Sequence, residues 1–147
     1  MKYLLNLLLF LSIPLSASSI IYTSSYIDVI NENVLKNSSI TVDDGIITSI
    51  DSGYIKVKQT DTLIDLRGKT LMPGLMDMHV HFGGEYQSKA QRPIKTERET
   101  EAILATLHAS VTLKAGFTTV RQVGDSGLVA ISLRDAINAG HVIGPRI

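Results

Sequence analysis

The stretch Leu71-Met72-Pro73-Gly74-Leu75-Met76-Asp77-Met78-His79-Val80-His81 decides how the rest of this chain is read. Pro73-Gly74 breaks the chain, and residues 75–81 behind it are apolar apart from Asp77 and the two histidines. A short apolar run behind a turn signal predicts a buried strand over 75–81. In a strand, residues i and i+2 point the same way and lie about 6.6 Å apart along the backbone. The imidazoles of His79 and His81 therefore share a face, and metal–nitrogen bonds of about 2.0–2.1 Å let them converge on one ion. Asp77 shares that face but sits about 13 Å from His81 by the same rise. That distance suits a supporting residue behind the ligands better than a third ligand. By itself a His-x-His pair is more often two incidental surface histidines than a metal site. A place at the C-terminal end of a parallel strand, where barrels carry their chemistry, favours ligation.

Downstream, strands and helices alternate. Thr96-Glu97-Arg98-Glu99 fits a capping box, in which the Thr hydroxyl and the Glu carboxylate each satisfy a free backbone N–H. Behind it Ile103, Leu104, Leu107, Val111 and Ala115 recur at helical spacing and predict one apolar face. Gly116 suits the left-handed position that ends such a helix. Residues 117–123 read as a second strand. Asp125 or Ser126 can cap a second helix over 128–139, with Gly140 at its end. Strand, helix, strand, helix at this pitch predicts parallel βα units. Residues 142–147 read as the approach to a third strand.

Upstream, residues 20–72 read as short β runs separated by turns. Ser39-Ile40-Thr41-Val42 and Ile46-Ile47-Thr48-Ser49-Ile50 flank Asp43-Asp44-Gly45, a hairpin signal, because the type I′ turn needs positive φ. Residues 62–66 and 70–72 around Arg67-Gly68-Lys69 predict another strand–turn–strand. This half is expected to be a small antiparallel β unit.

The composition constrains the chemistry. The 147 residues include no Cys, so a disulfide framework, a thiol nucleophile and a thiolate zinc finger are excluded, and any metal must be held by His, Asp or Glu. Lys plus Arg and Asp plus Glu number 14 each, which argues against an electrostatic nucleic-acid binder. The 44% apolar content argues against disorder. At the N-terminus Lys2 precedes an apolar run over 4–15, followed by the small residues Ser16-Ala17-Ser18. That order predicts a cleaved secretory signal over 1–18, too short for the roughly 20 residues that span a bilayer. The expected location is therefore periplasmic or secreted, with no membrane attachment after cleavage.

The 71–81 stretch closely resembles the signature at the first barrel strand of the amidohydrolase superfamily, and Ile64-Asp65-Leu66-Arg67-Gly68-Lys69 is similar to the β-sandwich segment leading into it. Residues 115–121, 133–140 and Gly144-Pro145-Arg146 resemble the imidazolonepropionase-related branch, leaning toward secreted Xaa-Pro dipeptidase-like and arginine/lysine carboxypeptidase-like members. The resemblance implies an α/β chain: residues 19–72 as part of a urease-like β-sandwich, and 73–147 as the first two βα units of an incomplete (β/α)8 TIM barrel. It implies one or two divalent metals, zinc before others, with His79 and His81 on the more buried ion. The substrate class it implies is a small molecule, a dipeptide or an N-acyl amino acid, cut at a C–N bond. The family's bridging carboxylated Lys, two further His and acidic general base have no counterpart here. The expectation is accordingly the N-terminal piece of a longer enzyme, or a truncated gene product, inactive alone. Gln122 stands where an acidic residue is common among relatives, a position that is not a ligand in the pattern.

Other signals carry plainer readings. Gly124-Asp125-Ser126-Gly127 matches a serine-protease nucleophile tetrapeptide but lies at a strand-to-helix turn, where Asp or Ser caps and Gly turns. His108 reads as a partly buried helix histidine and His141 as a solvated one near a helix end. Glu97, Glu99 and Glu101 suit the positive end of a helix dipole. Glu85 and Tyr86 fall in the loop after the first barrel strand and are candidates for substrate contact. Two rival functions stand beside the hydrolase: a non-catalytic fragment that binds metal weakly, and a secreted β-rich binding module with an incidental His pair. Apolar surface at Ile103, Leu107, Val120 and Ile131 is expected to be under-covered if barrel neighbours are missing.

Overall fold

The computed structural model describes residues 17–83, 97–125 and 127–147. The expected signal segment, apart from its last residues, lies outside them, as do Glu85, Tyr86, Thr96 and Ser126. The chain divides into one unit ending at Pro73 and a second over Gly74–Ile147.

The first unit is a four-stranded sheet in the order β3-β2-β1-β4, built from β1 (Ser19–Asp28), β2 (Asn33–Asp43), β3 (Ile46–Ser52) and β4 (Thr62–Leu71). The β2–β3 hairpin turns through Asp44 and Gly45, at φ 49° and 78°. Consecutive positive φ values are what a type I′ turn demands. Between β1 and β2 the Asp28 carboxylate accepts the backbone N–H groups of Ile30 and Asn31 and the Asn31 side-chain amide. Its carboxyl is held below the usual range, first by the Asn31 side chain and then by the Asn31 backbone N–H.

Two expectations for this half are corrected. Residues 62–72 are not a strand–turn–strand: β4 is one strand, and Arg67-Gly68-Lys69 bulges out of it opposite Ser24. The register jumps from Thr23↔Leu66 to Ser25↔Thr70. Gly68, at φ 86°, gives its N–H to Ser24 Oγ at 2.7 Å, and Thr23 Oγ1 donates to Lys69 O at 2.9 Å. The turn chemistry was real, but side-chain bonds from β1 absorb it as a bulge. Nor is the unit purely antiparallel. β4 runs parallel to β1, which is possible because β2, β3 and the segment after them supply the long crossover that parallel neighbours need.

That segment is strapped down by polar side chains. Ser39 Oγ donates to Gly53 O and accepts the Ile55 N–H, the Tyr22 hydroxyl donates to Ile55 O, and Asp61 accepts the Ser18 and Lys58 N–H groups. Ile20, Ile40, Thr23, Ser38 and Ser39 form the buried part of the sheet.

The second unit holds β5 (Leu75–Val80), α1 (Arg98–Lys114), β6 (Phe117–Gln122) and α2 (Val129–Asn138). β5 and β6 are parallel, and a parallel bridge from Thr119 to Arg146 begins a third strand position beside β6. The chain is thus α/β, a β unit followed by two βα units. Gly74 is required by close approach: a Cβ there would lie 2.0 Å from Thr118 Oγ1. Gly116, at φ 97°, turns α1 into β6.

The core consists of Phe82, Ala105, Ala109, Val120, Val129 and Leu133. Here three expectations change. The N-cap of α1 is Glu97, whose side chain makes no capping bond, so the expected box is one residue out of register. The expected apolar face of α1 points outward, with Ile103 70% and Leu107 57% exposed, while the alanines of the helix pack inward. Small side chains let α1 approach the sheet closely; the branched ones stand on the other side. Finally β5 is not a buried strand: Met76 is 68% exposed, because among the described residues β5 pairs with β6 alone. The expected under-covering at Ile131 is present as well, but Val120 is buried at 4% because it points into the core that α1 and α2 build.

Candidate functional site

β5 delivers its two histidines at its C-terminal end, His79 inside the strand and His81 just past Val80. Their rings meet edge to face with centroids 5.2 Å apart, and the two Nε2 atoms are 3.3 Å apart. Both side chains are exposed. The alternation of the strand puts them side by side; what orients the rings comes from elsewhere. Asp77 does not touch either ring. Its Oδ1 accepts the backbone N–H of His79 at 3.0 Å, fixing the strand locally.

His81 is held from β6 and the loop behind it. Its Nδ1 lies 2.6 Å from Gly124 O. A carbonyl oxygen only accepts, so Nδ1 carries the proton and donates, and in the neutral ring Nε2 presents a lone pair. Facing it at 3.3 Å, His79 Nε2 must then supply the proton when both rings are neutral. Gly124 O also accepts from Gln122 Nε2 at 2.9 Å, while Gln122 Oε1 accepts the Phe82 N–H at 3.0 Å. The Phe82 carbonyl accepts from His108 Nδ1 at 3.1 Å, and the Phe82 ring is buried in the core. The residue after the histidine pair is therefore clamped through its N–H, its C=O and its side chain.

The arrangement fits a metal by its donor chemistry. Two nitrogens on one tetrahedral zinc, each at about 2.0–2.1 Å, stand about 3.3–3.4 Å apart, against 3.3 Å here. A ring N–H given to a backbone carbonyl is also how a ligating imidazole is usually oriented. Two donors remain fewer than the three protein ligands of a typical catalytic zinc. Among the described residues no group of three or more His, Cys, Asp or Glu could hold an ion.

The other sequence candidates settle into structural positions or escape description. Asp125 Oδ2 accepts the Ala130 N–H and so performs the expected capping of α2, although the positional N-cap is Leu128. Gly127 has φ 77°, in keeping with a turn. His141 is exposed, and Glu99 and Glu101 occupy the first turn of α1. Glu85 and Tyr86, the candidates for substrate contact, lie outside the described residues. A pocket of about 520 Å³ opens beside β6 and α2, lined in part by Met78, Arg121, Asp125 and Arg134, and neither histidine lines it. Sequence reasoning missed Gln122 and His108 as partners of the His81–Phe82 turn. The one available signal was Gln122 itself, an uncharged residue at a place where an acid is common.

Comparison with known proteins adds an independent line. The model of the amidohydrolase family matches residues 70–147, just over half of the chain. The enamidase of Eubacterium barkeri is 35% identical over 85 residues, which cover 56% of this chain and 20% of that enzyme. Among solved structures, a Xaa-Pro dipeptidase with methionine bound in its active site is 60% identical, with a TM-score of 0.84, over 89% of this chain and 32% of that one. A prolidase complexed with N-methylphosphonate-L-proline is 28% identical, with a TM-score of 0.73, over 89% of this chain and 31% of its own. The chain thus spans about a third of the length of these solved relatives and a fifth of the curated one.

Proposed function

Because the chain belongs to the amidohydrolase family, we propose that His79 and His81 are two ligands of a divalent metal, zinc before others, in a hydrolase of amide-type C–N bonds. The proposed substrates are dipeptides or N-acyl amino acids, a choice supported by the 60% identity to a Xaa-Pro dipeptidase. The observation that carries the ligand assignment is the 3.3 Å approach of the two Nε2 atoms at the C-terminal end of β5. When bound, such an ion supplies an activated water and polarises the scissile carbonyl.

The chain's own residues do the holding. His81 offers Nε2 because Nδ1–H is committed to Gly124 O, and His79 must give up its Nε2 proton before it can offer a lone pair. In the neutral ring that is a shift of the proton to Nδ1, with no net proton released. No described residue is assigned the role of general base or of bridging lysine. Glu85 and Tyr86 are proposed to contact substrate from the loop after β5. Export through residues 1–18 belongs to the same proposal, supported by Lys2, the apolar run and Ser16-Ala17-Ser18. Secreted material that still began at Met1 would overturn it.

The test is zinc titration of the full chain beside His79→Ala and His81→Ala, with hydrolysis assayed on Xaa-Pro dipeptides and N-acyl amino acids. Loss of binding in both variants is expected; binding that survives both substitutions overturns the ligand assignment. A second reading, a non-catalytic chain that binds metal weakly, is favoured by the count of two donors against three. Zinc binding through the pair without turnover of any substrate supports it.

A further inference from the structure

We propose that Gln122 is a positioning residue that sets the tautomer of His81, an inference resting on the reading of His81 as a metal ligand. The geometry points to it because, among the described residues, Gln122 joins the two halves of the His81 environment. Its amide oxygen takes the N–H of Phe82, the residue after His81, and its amide nitrogen donates to Gly124 O, which accepts from His81 Nδ1. Both ends of the amide are used, so only one orientation satisfies both neighbours. Gly124 has no side chain with which to anchor its own peptide, and it lies in the irregular stretch between β6 and α2. The Gln122 bond is what keeps that carbonyl aimed at the imidazole. A carbonyl so aimed holds the proton on Nδ1 and leaves Nε2 as the lone-pair nitrogen facing His79.

A structural role confined to satisfying the Phe82 N–H would need only an acceptor. Glutamate separates the two roles: an ionised carboxylate still accepts from Phe82 but cannot donate to Gly124 O, and it sets oxygen against oxygen. Leucine removes both bonds at similar volume.

The experiment uses the full chain with imidazoles labelled with ¹⁵N, at about pH 8, where an unperturbed imidazole is neutral. The His81 resonances are assigned by their loss in His81→Ala. The wild-type chain is expected to show His81 as the Nδ1–H tautomer. Gln122→Glu, and Gln122→Leu where it folds, are expected to show a mixture or the Nε2–H form. Zinc affinity is expected to fall up to about 10-fold in Gln122→Leu, the low end of the usual cost behind a ligand, because Gln122 acts through Gly124 O. A wild-type His81 in the Nε2–H form overturns the proposal without any variant. So does an Nδ1–H population unchanged in Gln122→Glu. If zinc binding ignores His79→Ala and His81→Ala, the ligand reading fails by itself, and the tautomer comparison still decides the role of Gln122.

Discussion

The β unit and the βα unit secure their strands by different means. In the first, three of the buried residues are Thr23, Ser38 and Ser39, and the irregular pieces are tied to the sheet by side-chain bonds: Ser39 to the 53–55 segment, Thr23 and Ser24 to the bulge at Gly68. In the second the buried residues of the core are apolar throughout, and large apolar side chains also cover the outside of α1 and the free side of β5. Polar cross-links saturate locally: once Ser39 Oγ has bonded Gly53 O and the Ile55 N–H nothing further is gained, and among the described residues Ser38 Oγ is the buried hydroxyl left without a partner. Apolar faces do not saturate, since they gain from every additional surface that excludes water. Among the described residues this unit pairs two parallel strands with one bridge at Arg146, and Ile103, Leu107 and Met76 stand exposed on it.

The sharpest way to break this contrast lies within the βα unit. Leu133→Ala, at a 4% exposed position, is expected to destabilise by about 2–5 kcal/mol. Ile103→Ala, on the outer side of α1, is expected to change stability by no more than about 0.5 kcal/mol. Urea unfolding followed by amide exchange in α1 and α2 measures both. Equal costs would mean that the outer face of α1 is covered after all. Gly74→Ala comes next, at about 1–3 kcal/mol, because its Cβ would fall within 2.7 Å of three Thr118 side-chain atoms and a β-branched side chain has no rotamer that clears all of them. Adding Thr118→Ala should recover most of that loss in the same unfolding measurement. If it does not, Thr118 is not the neighbour that excludes a side chain at position 74.

In the β unit the comparable backbone test is Gly45→Ala. Nothing lies within 4 Å of a Cβ there, so the expected cost of about 1 kcal/mol comes from the positive φ alone. A neutral result would show that the β2–β3 turn does not hold the hairpin register.

The same division separates the features legible in the sequence from those that were not. The Asp44-Gly45 turn, the strands around it, the strand–helix alternation after Gly74 and the shared face of His79 and His81 are local periodicities, and local periodicity is what a sequence displays. The bulge at Arg67-Gly68-Lys69 was misread because the same glycine chemistry serves a turn or a bulge, and only the Ser24 and Thr23 hydroxyls across the sheet distinguish them. The inner face of α1 was misread because hydrophobic size suggested the core, whereas Ala105 and Ala109 are what allow close approach to the sheet. The contacts of Gln122 and His108 with Phe82 were not legible for a related reason. Each acts on Phe82 from more than twenty residues away, and no spacing rule reaches that far.

The smallest expected effect tests whether the polar closure of the β unit carries charge. The Asp28 carboxyl has its pKa lowered in the fold by the Asn31 side chain and backbone, with the Ile30 N–H adding to them. A lowered folded value means that the ionised form is stabilising above the unfolded pKa of about 3.9, and that this contribution is lost as pH falls through the folded value. Asp28→Asn keeps an acceptor oxygen but has no charge to lose. The difference in Tm between wild type and variant should therefore be largest near neutral pH and shrink below about pH 4. Asp65, lowered by Arg67, and Asp43, lowered by Ser18 and Thr48, titrate in the same range. They are present in both proteins and cancel in the difference, which isolates Asp28. A difference that stayed constant across the acid range would assign the turn's stability to the geometry of the bonds alone, and the polar closure of this unit would then owe nothing to ionisation at that corner.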